Sequence, residues 1–81
     1  MMYTVYVLHS PVYDKIYIGY TGNLANRLLS HNELSTKGWT VRYRPWDLLH
    51  HEEYTSKAEA MKRERELKSA QGRVFIRGLL V

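Results

Sequence analysis

Two short runs of β-branched and aromatic residues, separated by a turn-forming segment, dominate the first twenty residues. The runs cover residues 3–9 and 16–20, and the segment 10–15 between them contains serine, proline and aspartate. Such runs predict β-strands, and the residues between them predict a tight connection. The chain is therefore expected to begin with an antiparallel hairpin, against which the later elements pack.

The relative position of two tyrosines depends on how the hairpin strands pair. Opposed residues of an antiparallel pair share a face of the sheet, and their numbers have a constant sum. A loop centred near Pro11 and Val12 makes that sum odd, and it places Tyr6 almost opposite Tyr17 with Gly19 on the same face. A slip of one residue would separate the tyrosines. Because strands favour tyrosine and the chain contains 7 of them, one aligned pair is also expected by chance.

The rest of the chain predicts helices around a third strand. Pro45 indicates that this strand begins after it, and Ser56 followed by Glu59 is a capping box at the start of a helix. Asn23 belongs to a turn that caps an earlier helix, and Gly72 is expected to interrupt the C-terminal helical region. The predicted elements are a helix over residues 24–31, a strand over 46–54, a helix from 57 to about 69 and a short helix over 74–80.

Length and composition favour one small globular domain over residues 1–81. A chain of 81 residues can bury one modest core, and 44% hydrophobic with 25% charged residues is typical of a folded protein. The absence of cysteine excludes disulfides and cysteine-based zinc sites. No stretch approaches the roughly 18 to 20 apolar residues of a membrane span, and the N-terminus does not resemble a secretion signal. We therefore expect a cytoplasmic protein without membrane contact.

Positive charge is concentrated in the last third of the chain. The formal net charge is +4 at pH 7. The basic residues of this region are Lys62, Arg63, Arg65, Lys68, Arg73 and Arg77. Because glutamates alternate with them, a solvated helix face is the simpler interpretation, and contact with a polyanion such as nucleic acid is the alternative.

Two polar residues lie along the apolar side of the first predicted helix. Leu24, Leu28 and His31 follow i, i+4, i+7 spacing, and Arg27 adjoins the same stripe. Arg27 could lay its aliphatic part on the core, and His31 could act as a cation at the helix C-terminus. The alternative is that both belong to a functional site.

Glu64 is the most informative residue of the second long helix. Ala60, Met61 and Leu67 mark an apolar stripe, and Glu64 falls inside it. A carboxylate is costly to bury there unless it is paired or binds a cation. The spacing leaves open a structural ion pair, for example with Arg27, and a carboxylate that holds a divalent metal through oxygen.

In their order along the chain, these residues resemble the GIY-YIG nuclease superfamily, and most closely its short single-domain members. The first motif appears in a degenerate form at Thr4-Val5-Tyr6, and the second is intact at Tyr17-Ile18-Gly19. Arg27 and His31 follow on the first helix, and Glu64 lies on the second. The resemblance covers nearly the whole chain.

This resemblance implies both a fold and an activity. The implied fold is α+β, with a central three-stranded antiparallel sheet flanked by helices. The implied activity is hydrolysis of DNA phosphodiester bonds with one divalent metal, Mg²⁺ or Mn²⁺, on damaged, branched or otherwise unusual DNA. No base-reading module is visible, so strong sequence specificity is not expected.

The resemblance also implies a role for each matched residue. Glu64 would hold the metal, and Arg27 would bind the scissile phosphate and stabilise charge in the transition state. Tyr6 and Tyr17 would flank the attacking water, and one of them would act as general base or as the group that orients the nucleophile. The implied nucleic-acid contacts are Gly19, Tyr20, Lys68 and Arg73.

Three positions depart from the family pattern. Thr4 stands where the first motif has glycine, and Ile76 stands where some family enzymes have asparagine. Tyr20 occupies the place of a histidine or lysine that assists a tyrosine in some relatives, and His31 is the candidate to replace it in part. These departures are consistent with an activity that is weak or that needs a protein partner.

Two other functions stay open beside the nuclease. One is a nucleic-acid-binding module that keeps the fold without efficient catalysis, and the other is a protein-interaction domain whose tyrosine pair is structural. Salt-dependent binding to DNA is expected of the nuclease and of the nucleic-acid-binding module, and it is not expected of the protein-interaction domain.

Overall fold

The two N-terminal runs form the predicted hairpin, and a third strand completes one sheet. The computed structural model describes residues 2–34 and 36–81. Strand β1 is Tyr3–Ser10 and β2 is Lys15–Thr21. Strand β3, Asp47–Tyr54, pairs antiparallel with the other side of β1, so the order is β2-β1-β3. The predicted α+β fold with a three-stranded antiparallel sheet is confirmed.

Helices cover both faces of this sheet. The helices are α1 (Leu24–Leu29), α2 (Lys57–Lys68) and α3 (Ala70–Gly78), and two irregular segments, π-helical Ser30–Leu34 and 3₁₀-helical Trp39–Tyr43, lie between α1 and β3. The side chain of Asn23 caps α1 and that of Ser56 caps α2, as predicted. Within the described part of the chain, no helix has the length and apolar character needed to cross a membrane.

The central strand β1 divides the buried residues into two clusters. On one face, Val5 and Val7 pack against α2 and α3, whose buried residues include Leu67 and Ile76. On the other face, Tyr6 and Leu8 pack with Trp46, Tyr17 and α1, and the helix contributes Leu24 and Leu28. A strand that is paired on both edges and covered on both faces leaves almost nothing of its side chains in solvent, since residues 4–8 are all buried.

The hairpin register differs by two residues from the predicted one. Tyr6 lies opposite Gly19, and Tyr17 lies opposite Leu8. The sum of paired numbers is odd, as predicted, so Tyr6, Tyr17 and Gly19 share a face. The shift arises because the loop is centred between Val12 and Tyr13, and its last residue, Asp14, adopts a left-handed conformation with φ 51°.

The first helix is shorter than predicted, because its geometry changes at Ser30. The α-helix ends at Leu29, and His31 lies in the π-helical segment. The carbonyl oxygens of Ser30 and His31 accept hydrogen bonds from the guanidinium of Arg44, at 3.2 and 2.6 Å. An arginine from a segment 13 to 14 residues away thus binds the backbone where the helix changes geometry, and a helical periodicity cannot reveal such a contact.

Gly72 does not interrupt the C-terminal helix, which corrects the sequence prediction. The break lies at Ser69, which ends α2 and caps α3 by accepting a hydrogen bond from the Gly72 amide at 3.2 Å. A Cβ at position 72 would collide with the backbone carbonyls of Glu66 and Leu67. Glycine is needed here because α3 starts directly against the last turn of α2.

One carboxylate fastens α2 to the sheet. Glu52 on β3 accepts two hydrogen bonds from the guanidinium of Arg63, at 2.8 and 3.1 Å, and lies 2.7 Å from the His50 imidazole. Tyr54 also donates its hydroxyl to Glu52. Burial alone would raise the pKa of Glu52, but these donors hold it at about 2. Arg63 directly precedes Glu64, so this pair fixes the part of α2 that carries Glu64.

We predict that Glu52→Gln destabilises the fold in a pH-dependent way. The folded pKa of about 2 lies below the ordinary 4.5, so the charge contributes fully above pH 4.5 and its contribution is lost as the pH falls towards 2. The variant should lose about 1–3 kcal/mol of unfolding free energy at pH 7 and roughly half as much at pH 3. Urea denaturation at both pH values measures this, with Glu53→Gln as the control because Glu53 is exposed. A pH-independent loss would contradict the assigned role of the carboxylate charge.

Candidate active site around two tyrosines

Three rings meet on the α1 face of the sheet. The Tyr6 and Tyr17 rings are stacked with centroids 6.2 Å apart, and the His31 ring lies 4.7 Å from Tyr17. The Tyr6 hydroxyl lies 3.2 Å from His31 Nε2, within hydrogen-bonding distance. Both Tyr6 and His31 are buried, at 2% and 8% exposure. The structure therefore brings together three of the residues that the sequence singled out.

The backbone around His31 is held by two separate contacts. Arg44 binds the carbonyl oxygens of residues 30 and 31, as described above. Next to it, the Asn32 amide both donates to the Trp46 carbonyl and accepts from the Trp46 amide, at 3.1 and 2.7 Å. These contacts tie the π-helical segment to the start of β3, so the imidazole has a fixed position against the tyrosines.

Electrostatics keep the His31–Tyr6 pair neutral. Burial, together with the positive charges of Arg27 and Arg44, lowers the pKa of His31 below its ordinary value. The histidine is thus not the helix C-terminal cation that the sequence allowed. A neutral imidazole has one acceptor nitrogen, and with the proton on Nδ1 the Nε2 atom accepts the Tyr6 hydroxyl.

The Tyr6 hydroxyl holds its proton firmly in this environment. Burial and the neighbouring Tyr17 raise the pKa of Tyr6, Arg27 opposes them, and Glu64 raises it further. Tyr6 is therefore a neutral phenol at pH 7. It can accept a proton from another molecule only if it passes its own to a neighbour or if further positive charge stabilises the phenolate.

Gly19 is required by the position of the Tyr6 ring. A Cβ on Gly19 would lie 2.7 Å from the Tyr6 hydroxyl oxygen and 3.2 Å from the edge of the Tyr17 ring. The space beside this glycine, which the resemblance named as a nucleic-acid contact, is thus filled by the two tyrosine rings. The second motif, Tyr17-Ile18-Gly19, supplies the Tyr17 ring, and its glycine leaves the space in which the Tyr6 ring lies.

The charges of Arg27 and Glu64 affect the pKa of Tyr6. Arg27 is exposed on α1, and it is close enough to lower the pKa of both Tyr6 and His31. Glu64 on α2 is 18% exposed, and its Oε1 lies 3.4 Å from Lys68 Nζ. The ion pair of Glu64 is thus with the next turn of its own helix, and Arg27 is not its partner among the described ion pairs.

A cleft at the edge of β2 joins Tyr17 to the basic C-terminal helices. It measures about 350 Å³. Its lining residues are Ile16, Tyr17, Ile18, Lys68, Arg73, Ile76 and Arg77. The predicted contact residues Lys68 and Arg73 are therefore next to a site tyrosine, and the basic charge of this region is not spread evenly over a solvated face.

Two positions lie on the α2–α3 side of the sheet, away from the stacked tyrosine pair. Tyr20 lies opposite Val5, on the face that packs against α2 and α3, so the structure does not bring it to the tyrosine pair. Ile76, which replaces the asparagine of some family enzymes, is buried in the same cluster and its side chain serves the core.

Sequence reasoning missed the cleft residue Arg77 and the positioning residues Arg44 and Asn32. Arg77 follows Arg73 by four residues, so helical spacing already places them on one side of α3. Arg44 and Asn32 act through contacts with segments about 14 residues away, for which the sequence carries no periodic signal.

The donor set fits a hard divalent cation held by few protein ligands. Among the described residues, no group of three or more histidine or acidic side chains is arranged to share a metal ion. Glu64 offers a partly exposed carboxylate, and its 3.4 Å contact with Lys68 is longer than a tight ion pair. Magnesium commonly binds through one or two carboxylates, waters and substrate phosphates, so these residues fit it.

Comparison with protein families agrees with this geometry. Residues 2–76 match the model of the GIY-YIG catalytic domain. The chain belongs to the GIY-YIG family. The match includes both tyrosine motifs, Arg27, His31 and Glu64, so this GIY-YIG chain has a nuclease-type fold.

Relatives of this GIY-YIG chain are small bacterial and archaeal proteins. It is 39% identical over 56 residues to a UPF0213 protein of Staphylococcus haemolyticus, covering 69% of this chain and 68% of that one. It is 40% identical over 65 residues to a UPF0213 protein of Natronomonas pharaonis, covering 80% and 75%. The solution NMR structure of a UPF0213 protein from Bacillus halodurans superposes with a TM-score of 0.58 at 28% identity, covering 98% of this chain and 85% of that one.

We predict that Gly19→Ala displaces Tyr6 and costs stability. The added methyl group has no space beside the Tyr6 hydroxyl, so the unfolding free energy should fall by about 1–3 kcal/mol. The His31 ring signals in an NMR spectrum should shift as the 3.2 Å contact is broken. Gly78→Ala is the control, because nothing lies within 4 Å of its Cβ position. Equal stability of the two variants would mean that the Tyr6–Gly19 contact is loose.

Proposed function

We propose that this GIY-YIG protein is a metal-dependent endonuclease that hydrolyses DNA phosphodiester bonds. The observation that carries the proposal is that Tyr17 of the Tyr6–Tyr17–His31 group lines a basic cleft, and that the Glu64 carboxylate contacts the cleft residue Lys68. Core packing explains why a tyrosine is buried, but it does not explain why Lys68, Arg73 and Arg77 line a cleft together with Tyr17. The alternative is a nucleic-acid-binding module with little or no catalysis, which is consistent with the firmly held proton on Tyr6.

The scissile phosphate is expected to lie in the cleft beside Tyr17. Lys68, Arg73 and Arg77 line this cleft, and Arg27 approaches the tyrosines from α1. Phosphate contacts supply most of the affinity of proteins for DNA, and a guanidinium can bind two phosphate oxygens at once. We assign Lys68 and Arg73 to substrate binding, and Arg27 to the charge that develops during cleavage.

The attacking water needs a proton acceptor at neutral pH. In the tautomer with the proton on Nδ1, Tyr6 donates its hydroxyl to Nε2 of neutral His31, so it can take a proton from a neighbouring water as it passes its own proton to Nε2. Tyr6 is thus proposed as the relay, with His31 as the final acceptor. Tyr17 is stacked on Tyr6 and lines the cleft, and it positions the water and the phosphate.

A divalent cation, Mg²⁺ or Mn²⁺, would be held by Glu64. When bound, it would supply Lewis-acid stabilisation of charge on the phosphate oxygens. Lys68 would then be released from its contact with Glu64 to face the DNA backbone. The hydrogen bond between Tyr6 and His31 would be unchanged, and Arg27 would remain the positively charged side chain at the phosphate.

We predict that Glu64→Ala abolishes metal-dependent cleavage and leaves the fold intact. Loss of the carboxylate should lower the cleavage rate by about two orders of magnitude or more. Labelled branched, nicked and linear DNA with Mg²⁺ or Mn²⁺ provides the assay, and circular dichroism checks the fold. Glu66→Ala is the matched control, since Glu66 lies two residues away on α2 and is more exposed. Cleavage by Glu64→Ala at the wild-type rate would exclude the assigned role.

We predict that Arg27→Ala affects turnover more than DNA binding. Transition-state charge stabilisation by one such group is worth on the order of 10²–10³ in rate, whereas one lost phosphate contact lowers affinity by less than about tenfold. Single-turnover cleavage and anisotropy binding separate the two. Arg65→Ala, which removes the same charge from a residue outside the cleft lining, is the control. Equal losses of rate and affinity would limit Arg27 to binding.

A further inference from the structure

An exposed row of aromatic rings leads away from the tyrosine site. We define the aromatic row as Tyr13, Tyr43, Trp39, Trp46 and Tyr17. Successive ring centroids along it are 5.5, 4.8, 5.7 and 6.4 Å apart. Four separate segments contribute to it, so the row exists only in the folded chain.

The outer end of the aromatic row lies partly in solvent. Tyr13 is 50% exposed and Trp39 is 45% exposed, while Trp46, between Trp39 and Tyr17, is buried. Trp46 is fixed by its indole N–H, which donates to the Thr40 carbonyl at 2.7 Å. The row thus has a rigid inner part and an outer part with ring surface open to a ligand. Rings that only served the core would be covered.

Positive charge accompanies the exposed rings. Lys15 Nζ lies 5.4 Å from the Tyr43 ring centroid, and Arg42 Cζ lies 5.8 Å from it. Both side chains are exposed. Aromatic faces interleaved with cations complement a ligand that has flat bases and a negative backbone, which is the combination found in single-stranded nucleic acid.

The aromatic row is continuous with the cleft through one residue. Tyr17 is the inner end of the row, and it also lines the cleft with Lys68, Arg73 and Arg77. A strand whose phosphates lie in the cleft can therefore continue over Tyr17 towards Trp39. Bases of a duplex are stacked on one another and cannot lie on these rings, whereas unpaired bases can.

From this continuity we propose that the aromatic row is a stacking platform for unpaired DNA bases, so that the substrate of the site is a single-stranded or splayed DNA segment. The proposal takes its ligand class from the proposed nuclease function and adds the substrate structure. Tyr13, Tyr43 and Trp39 hold the bases next to the scissile phosphate, while Lys15 and Arg42 contact the backbone.

The test measures binding without cleavage. A fluorescein-labelled oligothymidylate and a blunt duplex of matched length are titrated with the full chain in EDTA, and anisotropy gives both affinities. Wild type should bind the single strand more tightly. Trp39→Leu and Tyr13→Leu should each weaken single-strand binding by about tenfold and duplex binding by less than about twofold, as expected for the loss of one stacked base.

Two controls keep the result interpretable. Phe75→Leu removes an aromatic ring of similar exposure, 42%, from α3 outside the row, and it should leave both affinities unchanged. Trp39→Phe keeps a ring and should retain most of the single-strand affinity, while the fluorescence quenching caused by bound bases decreases because Trp39 is the exposed one of the 2 tryptophans. Tyr13 lies in an exposed loop, so the Tyr13→Leu variant can be tested even if Trp39→Leu unfolds the protein.

The outcomes separate this proposal from the nuclease proposal. Wild-type single-strand affinity in both leucine variants, or an equal loss for single strand and duplex, overturns the stacking platform even if the protein cleaves DNA. Selective loss of single-strand binding supports the platform even if no DNA is cleaved with Mg²⁺ or Mn²⁺, and in that case only the nuclease proposal fails.

Discussion

The pairing of β1 on both edges is the constraint on which the rest of the structure depends. With β2 on one side and β3 on the other, the strand has no free edge, and its alternating side chains serve two different purposes. Val5 and Val7 anchor α2 and α3, while Tyr6 between them faces the site. Because Val5 and Val7 hold the core and also fix the backbone of Tyr6, the site is as rigid as β1, the most buried strand. Small folds rarely have enough core to support a separate rigid site.

The carboxylates divide between structural and chemical positions for a physical reason. Glu52 has three donors around it, which fix its charge and use its oxygen atoms. Glu64 has one long contact with a flexible lysine, so its oxygen atoms stay available. The two glutamates are similarly covered by the protein, at 22% and 18% exposure. The number and quality of their partners, and not their depth, distinguishes an anchor from a candidate ligand.

The features that the sequence predicted correctly are those with local or periodic signals. Strand faces follow from alternation, and the Asn23 and Ser56 caps follow from residue type. The features that it did not predict depend on long-range contacts. Arg44 binds the backbone where the helix changes geometry at Ser30, and the aromatic row contains residues of four segments that share no sequence pattern. The register error of two residues came from the loop, where the left-handed conformation of Asp14 sets the turn.

That loop also limits how this protein can vary through evolution. Asp14 is bound by Arg77 of α3 at 2.7 Å and lies 3.1 Å from His9, so the hairpin tip is attached both to its own strand and to the far end of the chain. Inserting or deleting one residue there would invert β2 and turn Tyr17 and Gly19 towards α2. Changes of two residues would preserve the faces. Most surface loops tolerate insertions and deletions of any number of residues, whereas the length of this loop is expected to change only by even numbers of residues.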